Sequence, residues 1–286
     1  MNHVVYYSCL SHVGKCRKIN QDNFICGRRY MEEESCPVSF PITGCLSEED
    51  SPVVGIFDGM GGEECGDTAS LLAAREASSL TVTDRPVDDL LLFCHRANER
   101  ICQYAKENGI SSMGTTAALL AFADQKIALC NIGDSKIFCF ADHKLEQLSV
   151  DHVAFAPYGM KPLLYQNLGI PSSEMTIDPY AAARKYHDKD LYLICSDGLT
   201  DMVPPEEISG ILSEVSAGLS AGRAGKNSEE ASVSGLLAET TVRLLEKALA
   251  GGGRDNITVI LCKIEKRRKG FLKRLLRKAP ARGGSV

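Results

Sequence analysis

Four times along this chain an apolar run stops at an aspartate set in a turn: Asp58-Gly59, Gly133-Asp134-Ser135, Asp197-Gly198 and Asp255-Asn256. A short apolar run closed by a turn dipeptide reads as a buried strand. One Asp-Gly is a common turn and says little. Four at strand ends point to carboxylates on one rim of a rigid scaffold. Clustered carboxylates repel each other and stay ionised only beside cations. An all-oxygen set suits Mg²⁺, Mn²⁺ or Ca²⁺ rather than zinc or copper. Two such ions about 4 Å apart can activate water and neutralise a phosphoryl group.

Strands are expected at residues 4–11, 23–27, 53–57, 190–195 and 256–264. Residues 115–123, 126–132, 135–141 and 144–148 read as consecutive antiparallel strands. Helices are expected at 67–80, 90–108, 205–215 and 233–250, where apolar residues recur without breakers. Residues 32–52, acidic with scattered prolines, read as an exposed loop or inserted hairpin. Residues 216–234, dominated by Ser, Ala, Gly and Glu, read as a mobile loop. Strands grouped apart from helices imply an α+β layered domain, with two antiparallel sheets flanked by helix pairs as one arrangement that fits.

Twelve cysteines carry no C-x-x-C pair, which opposes a zinc knuckle or a thioredoxin-like site. Several sit in apolar runs, as Cys130 and Cys195 do, and read as reduced core thiols. No stretch approaches the roughly 20 apolar residues needed to cross a bilayer. Residues 1–10 lack a signal-peptide pattern, so a cytoplasmic location is expected. Net charge is −5, yet residues 263–286 hold ten Lys or Arg and one acid. An acidic body thus carries a basic tail, and the body opposes nucleic-acid binding. The expected division is a catalytic domain over 1–265 and a basic amphipathic tail over 266–286. Phe271, Leu272, Leu275 and Leu276 can share one helical face, with Lys273, Arg274, Arg277 and Lys278 elsewhere. Such a tail can rest on an anionic membrane at the inner face, dock an acidic partner, or remain a solvated terminus.

Six motifs in order carry a resemblance: Arg17-x-x-Asn20-Gln21-Asp22, Phe57-Asp58-Gly59-Met60-Gly61-Gly62, Gly114-Thr115-Thr116, Asn131-Ile132-Gly133-Asp134-Ser135, Cys195-Ser196-Asp197-Gly198-Leu199 and Arg254-Asp255-Asn256-Ile257-Thr258. The set resembles the type 2C metal-dependent protein Ser/Thr phosphatases, above all their compact bacterial members. The resemblance implies a β-sandwich of two antiparallel sheets with helices on both outer faces. It implies hydrolysis of phosphoserine and phosphothreonine by direct attack of water or hydroxide held by two Mg²⁺ or Mn²⁺ ions. On it, Asp58 bridges both ions, Gly59 offers its carbonyl, and Asp197 and Asp255 complete the first ion's protein ligands. Asp22 holds metal-bound waters, Asp134 with Asp197 marks a weaker third ion, and Arg17 grips the substrate phosphate. Thr115 and Thr116 are scaffold residues, and Cys65 is no nucleophile. The implied partners are phosphorylated proteins and a Ser/Thr kinase that the enzyme opposes.

Three departures stand out. Met60 occupies a position where many relatives carry a proton-donating histidine, so metal-bound water is expected to serve. Gln21 stands where many have glutamate. The flap over residues 151–169 is short, and its His152 is expected to cap or pack. Rival readings are a non-catalytic binding protein that keeps the fold, a phosphatase of small metabolites, and a metal nuclease.

Overall fold

A computed structural model describes residues 3–32, 38–46, 52–60, 65–123, 125–155, 162–221 and 229–266. The basic tail beyond 266 and the Gly61-Gly62 pair lie outside these. Among the described residues the strands are β1 (His3–His12), β2 (Asp22–Cys26), β3 (Val38–Leu46), β4 (Val53–Met60), β5 (Gly114–Thr115), β6 (Ala117–Ala123), β7 (Lys126–Ile132), β8 (Lys136–Ala141), β9 (Lys144–Gln147), β10 (Tyr180–Lys185), β11 (Leu191–Cys195) and β12 (Ile257–Lys266). The helices are α1 (Gly66–Ser78), α2 (Pro86–Glu107), α3 (Asp197–Thr200), α4 (Pro205–Ala221) and α5 (Glu229–Ala250).

The strands form two antiparallel sheets, ordered β3-β1-β12-β11-β8-β9 and β10-β7-β6-β4-β2, with β5 on β4. Period-2 alternation sorts their side chains into three cores. In β12, Val259 and Leu261 face α4 and α5, while Ile260, Cys262 and Ile264 face the other sheet. In β6, Leu119 and Ala121 face α1 and α2, while Leu120 and Phe122 face inward. The result is a four-layer α/β/β/α sandwich, the layered α+β arrangement expected. Strands buried on both faces explain the near-continuous apolar runs. Among the described residues seven cysteines lie buried within these layers, including Cys130 and Cys195.

Several expectations need correction. Residues 32–52 were expected to be a loop or inserted hairpin, yet 38–46 form β3, a single edge strand paired with β1. Phe40 and Pro41 suit an edge strand, where one backbone side faces solvent. The stretch 216–234 is not one loop: α4 runs to Ala221 and α5 starts at Glu229. Ser and Gly lower helix propensity there, but burial of Leu219 and Val233 outweighs it. The four strands over 115–148 do not form one antiparallel run. β6 and β7 pair in one sheet, β8 and β9 in the other, and the chain crosses between sheets at residues 133–135. The α2 helix starts at Pro86, four residues before the expected Leu90. Proline at the first helical turn and Asp88 and Asp89 after it favour that start. β10 was not anticipated. Its sequence, Tyr-Ala-Ala-Ala-Arg-Lys, favours helix by propensity and becomes a strand by pairing with β7 at the sheet edge.

Candidate active site

The carboxylates meet at one end of the sandwich because both sheets end there. Asp58 lies near the end of β4, and Asp22 opens β2 directly opposite it in register. Across the sandwich, Asp197 follows β11 and starts α3, while Asp255 lies two residues before β12. Asp134 sits in the turn that carries the chain from one sheet to the other, after Gly133 at φ 101°. Burial pushes the Asp58 carboxyl well above the usual range, and the charges of Asp22, Asp197, Asp134 and Asp255 push it further. The five carboxylates therefore share one electrostatic neighbourhood.

Asp22 is the pivot. Its carboxyl is buried, and Oδ2 accepts from Ser196 Oγ at 2.8 Å and Thr258 Oγ1 at 2.6 Å. Those donors belong to the opposite sheet, so the contact laces the two sheets together. Thr258 Oγ1 also meets Ser11 Oγ at 2.8 Å, and Asn20 Nδ2 donates to Ser11 Oγ at 2.9 Å. Oδ1 of Asp22 is buried without a hydrogen-bond partner. Burial pushes the Asp22 carboxyl up to about 7, against the lowering effect of Thr258 and Ser196.

Asp58 is held by its backbone. Its N–H donates to Thr116 Oγ1 at 3.0 Å, and its carbonyl accepts from Thr115 Oγ1 at 3.0 Å and from Thr116 N–H at 2.9 Å. Thr116 Oγ1 also meets Ser135 Oγ at 2.7 Å, tying Asp58 to the turn bearing Asp134. The Gly114-Thr115-Thr116 motif is thus a scaffold beneath the site. Gly59 permits close approach: a Cβ there would lie 2.0 Å from the Gly66 carbonyl oxygen. Gly198 does the same for Asp197, since a Cβ would lie 2.0 Å from the Asn256 carbonyl oxygen.

Arg17 lies on the β1–β2 loop, and its Nη2 donates to Asp255 Oδ2 at 2.7 Å. That hydrogen bond, together with the charges of Asp255, Asp58 and Asp197, favours its charged form. The guanidinium is half-exposed at the mouth of the acidic cluster. Asn256, next to Asp255, has a role that its place in the motif does not announce: it holds this loop. Its Nδ2 donates to the carbonyls of Val13 and Ile19, both at 2.9 Å, and its Oδ1 accepts from Gln21 N–H at 2.8 Å. The signal was the Asp-Asn dipeptide itself, since an amide that both donates and accepts can pin two strands of a loop. His152 is buried and packs as expected. Its Nδ1 accepts from Gly133 N–H at 3.2 Å, and its own N–H donates to the Gly133 carbonyl at 3.0 Å. Cys65 sits half-buried at the start of α1, against the helical layer.

Among the described residues, no three Asp, Glu, His or Cys side chains form a ready-made metal cage. The donor set nonetheless fits hard divalent cations. The orphaned Asp22 oxygen and mutually repelling carboxylates call for positive charge. Mg²⁺ keeps several waters and takes only one or two carboxylates, so a loose acidic cleft suits it better than a closed cage.

A four-layer sandwich with this acidic rim is the architecture of metal-dependent phosphatases. The profile of the family described as Protein phosphatase 2C matches residues 45–231, and the chain belongs to that family. It is 29% identical over 246 residues to the serine/threonine phosphatase Stp of Listeria monocytogenes, covering 78% of this chain and 89% of that protein. It is 28% identical over 280 residues to the serine/threonine protein phosphatase PstP of Mycobacterium tuberculosis, covering 91% of this chain and 45% of that protein. The fold is similar to the PstP catalytic domain solved with two manganese ions, at TM-score 0.70 and 24% identity, covering 92% of this chain and 99% of that one. No helix among the described residues is long and apolar enough to cross a membrane.

Proposed function

We propose that this chain hydrolyses phosphoserine and phosphothreonine on proteins and opposes a Ser/Thr kinase. The observation that carries the reading is the convergence of Asp22, Asp58, Asp134, Asp197 and Asp255, each raising the cost of ionising Asp58 or Asp22. Asp58, Asp197, Asp255 and the Gly59 carbonyl would hold two Mg²⁺ or Mn²⁺ ions, with Asp134 and Asp197 serving a weaker third. When bound, the ions supply positive charge and activate water for attack on phosphorus.

The chain's own residues do the rest. Asp22, fixed by Ser196 and Thr258, holds waters at the base of the site. Arg17 exchanges Asp255 for the equatorial phosphate oxygens, a task that suits a planar two-donor fork. Met60 has no proton to give, so the proton for the leaving oxygen would come from water at the site rather than from this side chain. Side chains act by positioning and charge, without a covalent intermediate on the protein. Similarity to the Listeria and Mycobacterium phosphatases supports protein substrates over small metabolites. Retention of all five carboxylates supports catalysis over a binding-only role.

The test is release of phosphate from a phosphothreonine peptide with Mn²⁺, with chelator, and after Asp197→Asn. Turnover should require metal and fall at least 100-fold in the variant. Binding of the phosphopeptide without turnover would overturn the reading.

A further inference from the structure

One wall of the cleft is basic although the centre is acidic. The β1–β2 loop carries Lys15, Arg17 and Lys18, all exposed. The segment before β12 brings Arg254, also exposed, beside it. These two segments are fastened together rather than merely adjacent. Lys15 N–H donates to the Gly253 carbonyl at 2.7 Å, and Asn256 holds both stems of the loop through Val13, Ile19 and Gln21. The stem of Lys15 lies over Gly253, with Cγ 3.3 Å from where a Cβ would stand. Arg254 folds over Gly252, its Nε 3.6 Å from the corresponding point there. Arg17 pairs with Asp255 inside the site. Lys15, Lys18 and Arg254 have no ion-pair partner among the described residues.

Three unpaired cations on one rim of a net-acidic protein need an account. Exposed charges of this kind do little for folding. They do shape the field at the mouth of a cleft. A phosphate seated on Arg17 would have Lys15 and Lys18 on the same loop and Arg254 on the segment fastened to it. We infer that this rim selects protein substrates with acidic side chains beside the phosphorylated residue, an inference that rests on the phosphatase reading. Asp and Glu on the substrate pair with the rim while the phosphate seats on Arg17. Basic flanks meet like charge. The rim also offsets the repulsion that an acidic centre exerts on an approaching polyanion.

The experiment compares three phosphothreonine peptides of one core sequence, flanked by Glu, Ala or Lys, with Mn²⁺ present. At low salt kcat/KM for the Glu-flanked peptide should exceed that for the Lys-flanked peptide by about tenfold, shrinking toward equality at high salt as screening grows. The triple variant Lys15→Ala, Lys18→Ala, Arg254→Ala should bring the ratio of the two peptides close to one. The charge-reversed pair Lys15→Glu, Lys18→Glu should invert it in favour of Lys flanks. Turnover of the Ala-flanked peptide with equal rates for Glu and Lys flanks would overturn the rim and leave the phosphatase reading standing. Turnover of none of the three would overturn both.

Discussion

Asn256→Ala tests the structural logic of the site without touching a carboxylate. The side chain makes three hydrogen bonds to backbone, to Val13, Ile19 and Gln21. Asn256 is itself buried, so water does not freely replace the lost amide. A typical net hydrogen bond contributes about 1 kcal/mol, and leaving a partner unsatisfied costs about 1–3 kcal/mol. Some relaxation of the exposed loop will rescue one partner, so the expected loss is about 2–4 kcal/mol. Tm should fall by roughly 3–7 °C for a domain of this size. The loop that bears Arg17 should also loosen more than the rest of the fold. Denaturant unfolding measures the first effect, and amide exchange at residues 13–21 against β12 measures the second. Asn256→Asp is the sharper companion, because it keeps the acceptor for Gln21 but loses both donors and sets a charge beside Asp255. It should cost at least as much as alanine despite its matching shape. A loss below about 1 kcal/mol, with exchange unchanged in the loop, would refute the assignment of Asn256 as the clamp.

Two further outcomes are expected. In the chelated protein, Asp22 binds its proton more tightly folded than unfolded, with a folded pKa of about 7. Such a group adds stability below its unfolded value near 4, and that contribution is lost as pH climbs through about 7. Chelated wild type should therefore lose up to about 4 kcal/mol between pH 4 and 7 relative to Asp22→Asn, read from denaturant midpoints; parallel curves for the two proteins would contradict it. Gly198→Ala should destabilise by about 2–4 kcal/mol and reduce Mn²⁺ affinity at least tenfold, because its Cβ would press on the Asn256 carbonyl at 2.0 Å and drive α3 away from β12; calorimetric titration showing native affinity would contradict it.

The layered α+β fold was legible in the sequence because its central strands are buried on both faces. β11 is an unbroken apolar run and β12 holds another from Val259 to Cys262, a pattern that suits a strand covered on both faces. The edges were not legible. β3 has prolines and acids around it, and β10 has three alanines in a row. Edge strands bury one side only, so their composition is free to look like loop or helix, and pairing decides. The same holds for the crossover at residues 133–135. The apolar runs of β7 and β8, parted by a turn, announce two strands, but nothing local says that they belong to different sheets.

The site divides along the same physical line. Asp58, Asp134 and Asp197 were visible because strands run into their turns, and turns demand recognisable residues such as Gly and Asn, whereas Asp255 lies in a turn that opens β12 rather than ending a strand and Asp22 was read only from the resemblance. The groups that hold those carboxylates were harder to see. Ser11, Asn20, Ser196 and Thr258 form one buried chain of hydrogen bonds ending on Asp22, yet each alone resembles an ordinary polar residue near a strand end. Their role depends on side chains separated by more than 170 positions meeting across the sandwich. A buried carboxyl held by two hydroxyls with one oxygen left over is poised for a cation rather than for another hydrogen bond. Acidic turns can be read one at a time, whereas the hydroxyl network that aims Asp22 exists only once both sheets have closed.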